Sequence, residues 1–158
     1  MVLLRVSVAR QLVFNSGLEE VLPMKVFISH ASTDAKLAKR VAHVLRGAGF
    51  QVWDETQILP GDNWGAQLAE ALQESEAMVV LLTPYSLHSP NLSHEVGYAL
   101  GEEGYKGRVI PVLAGSPAQL PKEDIPWVLY KFHMIHLQDQ EQDEEGLRRI
   151  VQALQEAE

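Results

Sequence analysis

The sequence predicts an α/β fold, a five-stranded parallel sheet with helices on both faces, and three observations predict it. Short apolar runs alternate with amphipathic stretches of helical period. Five such strand–helix units follow one another from Lys25 onward. The most apolar run falls in the middle of the series, as a strand covered on both faces requires. At 158 residues, 46% hydrophobic and 22% charged, the chain has the size of one domain and the composition of a folded protein, not a disordered one.

Each element has its own reason. Lys25–Ser29 (KVFIS) is a short apolar run bounded by polar residues, a buried strand. Residues 33–48 carry Leu37, Val41, Val44 and Leu45 on one helical face, with Ser32 or Asp34 near the start and Gly47 and Gly49 at the end. Residues 50–54 (FQVWD) form the second strand, and 55–63 a turn-rich loop around Pro60-Gly61. Trp64, Leu68, Ala71 and Leu72 mark the next helix, and 77–83 (AMVVLLT) the central strand. After a loop of Ser, Pro and Asn at 84–92, Ser93 is the expected cap of a helix carrying Val96, Ala99 and Leu100. Residues 108–114 (RVIPVLA) are the fourth strand, where Pro111 argues for an irregular or edge position. A Pro-rich connection, 115–130, makes the fourth crossover mostly irregular and leads to a strand within 132–137. Leu147, Ile150, Val151 and Leu154 give the closing helix its apolar face.

For parallel strands joined by such crossovers the expected arrangement is a flavodoxin-like three-layer sandwich, strand order 2-1-3-4-5. Ligands then bind outside the carboxyl ends of the strands, near the switch point between the first and third. The loops at that place are 29–33, 54–63 and 83–93.

Composition narrows the function. A net charge of −8 and a pI near 5.2 weigh against a nucleic-acid-binding module, which needs a basic face. They leave room for a small anionic ligand, since amides at helix N-termini hold phosphate without Lys or Arg. The absence of cysteine excludes disulfides and thiol catalysis and fits a reducing cytoplasm. No apolar run reaches the length of a membrane span. Residues 1–13 differ from a signal peptide in carrying Arg5 and Arg10 and in lacking a small-residue cleavage site. The glycosylation sequon Asn91-Leu92-Ser93 is read as chance.

Residues 1–23 stand apart from the domain at 24–158. Met24 directly precedes the first strand, and Glu19-Glu20-Val21 is encodable by a purine-rich ribosome-binding sequence. Met24 is then a start and 1–23 a translated leader. The alternative is a genuine extension whose alternating Leu4, Val6 and Val8 form an edge strand.

Several patterns carry no chemistry. Gly47-x-Gly49 ends a helix instead of following a strand, so it is no dinucleotide fingerprint. His133 and His136 are three apart, and on a strand that spacing points them to opposite faces, away from a shared metal. Thr83-Pro84 follows the central strand where a phospho-acceptor receiver needs an acidic residue. A flavin-binding relative would need a phosphate loop richer in Ser and Thr.

The three ligand-end loops carry a family resemblance. Val26-Phe27-Ile28-Ser29-His30-Ala31-Ser32, followed by Asp34, resembles the opening box of TIR (Toll/interleukin receptor) domains. Asp54 followed by Leu59-Pro60-Gly61 is similar to their second box, and Ser86, Ser89-Pro90 and Glu95 to the segment where bacterial NAD+-cleaving members place a glutamate. The resemblance covers about 24–137. Asn91 stands where the family often has Trp, and His30 where an aromatic is common.

This resemblance implies an NAD+ glycohydrolase with Glu95 as its catalytic residue. NAD+ would be substrate, with no cofactor and no metal. The products implied are nicotinamide and ADP-ribose or a cyclic isomer, in bacterial antiphage defence or signalling. Glu95, expected in a helix's first turn, is also explicable as a simple first-turn acid. Ser29, His30 and Ser32 read as contacts to the nicotinamide ribose or a phosphate, or as a hydroxyl-rich helix cap. Ser89 belongs to the same substrate-binding set. Trp64 reads as a stacking platform for a base or nicotinamide ring, or as part of the stripe with Leu68 and Leu72. Asp54 reads as a second carboxylate or as a turn initiator. The implied partners are NAD+, a second copy docking through loop 55–63, and an activating protein. The alternative function is a non-enzymatic TIR scaffold that works by assembly.

Overall fold

The computed structural model describes residues 11–13, 19–21, 23–53, 63–139 and 143–157. Two short strands, β1 (Gln11–Val13) and β2 (Glu19–Val21), pair antiparallel as a sheet of their own. The edge strand considered through Leu4, Val6 and Val8 lies outside the described residues. The main sheet follows: β3 (Lys25–Ser29), β4 (Gln51–Trp53), β5 (Ala77–Leu82), β6 (Val109–Ala114) and β7 (Ile135–Leu137). All pairs are parallel, in the order β4-β3-β5-β6-β7, which counted from β3 is the expected 2-1-3-4-5.

Strand alternation sorts the core into two layers. Val26, Ile28, Val79, Leu81 and Val112 point to one face, where α1 (Ala35–Gly47) supplies Leu37, Val41 and Leu45 and α4 (Glu144–Ala157) supplies Leu147, Ile150 and Leu154. Phe27, Met78, Val80, Leu82 and Val109 point to the other, against Ala71 and Leu72 of α2 (Trp64–Glu74), Val96 and Ala99 of α3 (Pro90–Gly101), and Leu120, Ile125 and Leu129 of the irregular fourth crossover. Every residue of β5 is buried, as its central place demands. Gly49 takes φ 96°, the left-handed turn that lets the Phe50 N–H return to the Leu45 carbonyl as the chain leaves α1.

Three expectations are corrected. Pro111 is neither at an edge nor irregular: β6 is buried throughout and lies between β5 and β7. The Met78 N–H donates to the Arg108 carbonyl, which turns the even-numbered residues of β6 toward β5 and the Pro111 nitrogen toward β7. Since β7 comes into register only at Val112, opposite Ile135, no ladder bond is lost. Ser93 does not cap α3, which begins a turn earlier with Ser89 at the cap position and Pro90 as first residue, the place where a missing N–H costs nothing. Neither Ser32 nor Asp34 caps α1 through its side chain. Ser32–Asp34 form a short 3-10 turn ahead of the helix, and the Asp34 carboxylate goes elsewhere.

Candidate functional site

The carboxyl ends of β3 and β5 bring the first and third sequence boxes together. Ser29 is the last residue of β3, and its hydroxyl donates to Oε2 of Glu95 on α3, 66 residues later in the chain. Both side chains are buried, Glu95 at 2% exposure. Glu95 lies in the second turn of α3, not the first as expected, because the helix starts at Pro90. A side-chain hydroxyl, that of Ser29, is thus a hydrogen-bonding partner of Glu95, and the first-turn amides that attract an anion lie one turn away.

His30 follows directly on β3 and is 7% exposed. Its Nδ1 lies 2.8 Å from the Ala31 carbonyl; a carbonyl only accepts, so Nδ1 carries the proton of that bond. The buried Nε2 has no hydrogen-bond partner among the described residues. His30 also lines a polar cleft of about 480 Å³, with Ala31, Ser32 and Thr33 from the loop after β3 and Pro84, Tyr85, His88, Ser89 and Asn91 from the loop after β5. Glu95 and Ser29 are not among its lining residues; the pair lies beneath the surface.

Of the residues singled out from sequence, Ser29 and Glu95 meet, and His30, Ser32 and Ser89 line the adjoining cleft. Ser32 is exposed and Ser89 half-buried at the α3 cap position. Asp54 lies outside the described residues, as does nearly all of loop 55–63, and Trp64 is described only as the first residue of α2. His133 precedes β7 and His136 lies on it, both exposed. Among the described residues no group of three or more His, Asp or Glu side chains is placed to hold a metal ion, and no helix is long and apolar enough to cross a membrane.

Sequence reading missed a second buried pair beside the first. Asp34, 6% exposed, accepts through Oδ2 from the Thr83 hydroxyl at 2.5 Å. Thr83 Oγ1 in turn accepts from the Tyr85 and Ser86 N–H groups at 3.2 and 3.1 Å. The Ser86 hydroxyl accepts from the Thr83 N–H at 2.9 Å and donates to the Leu81 carbonyl at 2.7 Å. The Thr83-x-x-Ser86 spacing is the local signal for such a hydroxyl-braced turn. Its link to Asp34 spans 49 residues, and nothing local announces it. Tyr85 and His88, also unremarked from sequence, stand in the cleft wall, Tyr85 at 63% exposure. A separate cavity of about 350 Å³, lined by Leu113, Leu120, Ile125, Tyr130 and Met134 among others, lies under the fourth crossover and shares no lining residue with this cleft.

The fold and the paired boxes agree with what the chain is similar to. Residues 26–151 match the family profile described as TIR domain. The NAD(+) hydrolase PdTIR of Paracoccus denitrificans (strain Pd 1222) is 31% identical over 101 residues, covering 62% of this chain and 34% of that protein. The chain thus spans about a third of that curated relative's length. Among solved structures, a metazoan TIR-STING receptor from C. gigas superposes with a TM-score of 0.66 at 23% identity, covering 82% of this chain and 39% of that one. The TIR domain of the Toll-related receptor TRR-2 of Hydra magnipapillata gives 0.61 at 18% identity, covering 82% and 96%. The two structural likenesses speak to the fold, and the profile spans most of the sequence: the chain belongs to the TIR domain family.

Proposed function

We propose that this protein is an NAD+ glycohydrolase in which Glu95 promotes cleavage of the nicotinamide–ribose bond. The observation that carries the reading is the buried Ser29–Glu95 pair at the carboxyl ends of the strands, in a chain whose 31%-identical relative is named an NAD(+) hydrolase. In NAD+ the nicotinamide is a cationic pyridinium and departs neutral with the bonding electron pair, so no general acid is required. What needs stabilising is the oxocarbenium-like ribose left behind, and one carboxylate held in a water-poor site does that. Water adds at the anomeric carbon, losing a proton, to give ADP-ribose; attack by the substrate's own adenine instead gives a cyclic isomer.

The Ser29 hydroxyl occupies the carboxylate as a ribose hydroxyl would. Substrate entry exchanges one hydroxyl donor for another, so Glu95 is not stripped of its hydrogen bond on the way to the reaction. His30 offers a buried ring nitrogen beside this point, and Ser32 and Ser89 offer hydroxyls along the cleft for the ribose or phosphates. In this reading NAD+ is the substrate and no metal or resident cofactor takes part. Asp54 and Trp64 belong to the same substrate-binding set by family resemblance. Loop 55–63, with Ile58 and Leu59 beside Pro60-Gly61, packs on a second copy and helps complete the site. The setting is bacterial antiphage defence or signalling, in the cytoplasm, with a partner protein as trigger.

The test is incubation of the purified chain with NAD+ across a wide range of protein concentration, with chromatography of the nicotinamide released and light scattering in parallel. Nicotinamide should appear, with activity per molecule rising as the protein associates. No release at concentrations where the protein self-associates overturns the reading and leaves a scaffold acting by assembly alone.

A further inference from the structure

We infer that Asp34 and Thr83 form a positioning pair that sets the two cleft walls, and the helix bearing Glu95, in register with each other. The inference rests on the proposed reaction at Glu95 for its functional meaning and on hydrogen-bond geometry for its structural content.

Two buried carboxylates cross between the same two segments of chain. Ser29, from the β3 segment, donates to Glu95 beyond β5; Thr83, at the end of β5, donates to Asp34 beyond β3. Only the first pair belongs to residues with which a substrate exchanges. In the second, the Thr83 hydroxyl is fully engaged by protein. A threonine hydroxyl has one proton and two acceptor positions. Asp34 takes the proton, and the Tyr85 and Ser86 amides take both acceptor positions. A carboxylate is the stronger acceptor, so it decides where the hydroxyl proton points and hence where the lone pairs face. Without Asp34 the hydroxyl is free to rotate, and both amide bonds lose their aligned acceptor.

The consequence travels along the chain. Ser86 is braced to Leu81 and Thr83, the Ser86 carbonyl receives the Ser89 N–H at 3.0 Å, and the Ser89 carbonyl receives the Leu92 N–H at 3.3 Å. From Thr83 to Glu95 there is a hydrogen-bonded turn, a 3-10 turn (Ser86–His88) and then α3, with no slack loop between. This run also holds Pro84, Tyr85, His88 and Ser89 in one cleft wall, while Asp34 ends the 3-10 turn that carries Ser32 and Thr33 in the other. The Asp34–Thr83 bond therefore ties the two walls to each other, and turning Glu95 relative to Ser29 means breaking it.

The experiment compares Asp34→Ala, Thr83→Val and Thr83→Ser in the full chain, with Leu154→Ala on α4 as a control that loosens the opposite layer. Thr83→Val keeps the shape without the hydroxyl; Thr83→Ser keeps the hydroxyl. Asp34→Ala and Thr83→Val should each lower kcat for NAD+ cleavage at least tenfold per folded molecule, and the double substitution should be no worse than the more severe single one. Thr83→Ser should stay within about threefold of wild type, and Leu154→Ala should lose stability with kcat unchanged. Equal kcat in Thr83→Val and wild type, or equal losses in Thr83→Ser and Thr83→Val, overturns the inference. Amide hydrogen exchange gives a readout that does not depend on NAD+ chemistry. In Asp34→Ala the Tyr85 and Ser86 amides should exchange at least tenfold faster while β5 amides stay protected. A wild-type protein without NAD+ cleavage but with this exchange pattern separates failure of the enzymatic reading from failure of the pair, whereas unchanged protection of both amides overturns the pair itself.

Discussion

Both ends of the sheet bury charge, and they satisfy it in opposite ways. At the amino end, Arg108 is 8% exposed and donates to three backbone carbonyls: Ala157 at 3.0 Å, Glu76 at 3.3 Å and Gly104 at 3.4 Å. These belong to α4, the entry to β5 and the turn after α3, so one guanidinium clamps three pieces of chain. At the carboxyl end, Glu95 and Asp34 are each met by a side-chain hydroxyl. A backbone carbonyl moves only with its segment of chain, while a hydroxyl such as that of Ser29 leaves by rotating about one bond; that of Thr83 is held by two amides as well. Burial alone therefore does not separate a structural charge from the one proposed to act at Glu95; the mobility of the partner is the difference to test.

The largest expected effect tests that distinction at Glu95. Glu95→Gln keeps the shape and removes the charge, and should lower NAD+ cleavage by about a hundredfold or more. Its melting temperature should stay close to wild type; a large drop in stability with activity per folded molecule intact would make Glu95 a structural group like Arg108. The reverse pattern is expected at the amino end. Arg108→Met loses charge-assisted bonds to three carbonyls and should cost about 2 kcal/mol in urea unfolding, leaving kcat unchanged. Asp143 sharpens the rule, being an acid at the carboxyl end that is held by backbone. Gly146 and Gln138 N–H groups donate to it at 2.8 and 2.7 Å, and these bonds, Gly146 first, hold its carboxyl below the usual value. A lowered folded pKa means its stabilisation is complete above the ordinary carboxylate range and is lost as pH falls through the folded value. Asp143→Ala should accordingly lower stability modestly at neutral pH, the difference from wild type vanishing in acid, with no effect on kcat. The smallest effect concerns residues 1–23, which precede the buried Met24 in the chain. If the domain begins at Met24, their deletion should change stability by less than about 0.5 kcal/mol; a loss beyond about 2 kcal/mol would make them part of the fold.

What was legible in the sequence followed from periodicity. The all-apolar run 77–82 had to be central, and Leu37, Val41 and Leu45 had to share a face, because burial imposes period and length directly. Ser93 is a good cap residue by type, yet Pro90, which is suited to a helix's first position, is the better signal for the start of α3. Glu95 is a candidate through family resemblance and Ser29 through its place at a strand end before a helix, but that they touch is a fact of topology. By type, Asp34 reads equally well as a helix-start residue. Its partner is supplied by β5, and only the strand order brings the two together. Arg108 passed as the first residue of a strand because nothing along the chain distinguishes a buried arginine from an exposed one before its carbonyls are in place.

Among the described residues the outer strand β7 of the main sheet is three residues long, against five and six for the strands β3, β5 and β6. An exposed strand edge is a template on which another chain can crystallise its own backbone, and its hazard grows with the length of unpaired ladder it presents. An edge as short as β7 offers little ladder to an incoming strand. For a protein proposed to gather into ordered assemblies this matters more than for a solitary one, since crowding copies together is also how amyloid begins. A short border at β7 narrows that irreversible route on its side of the sheet.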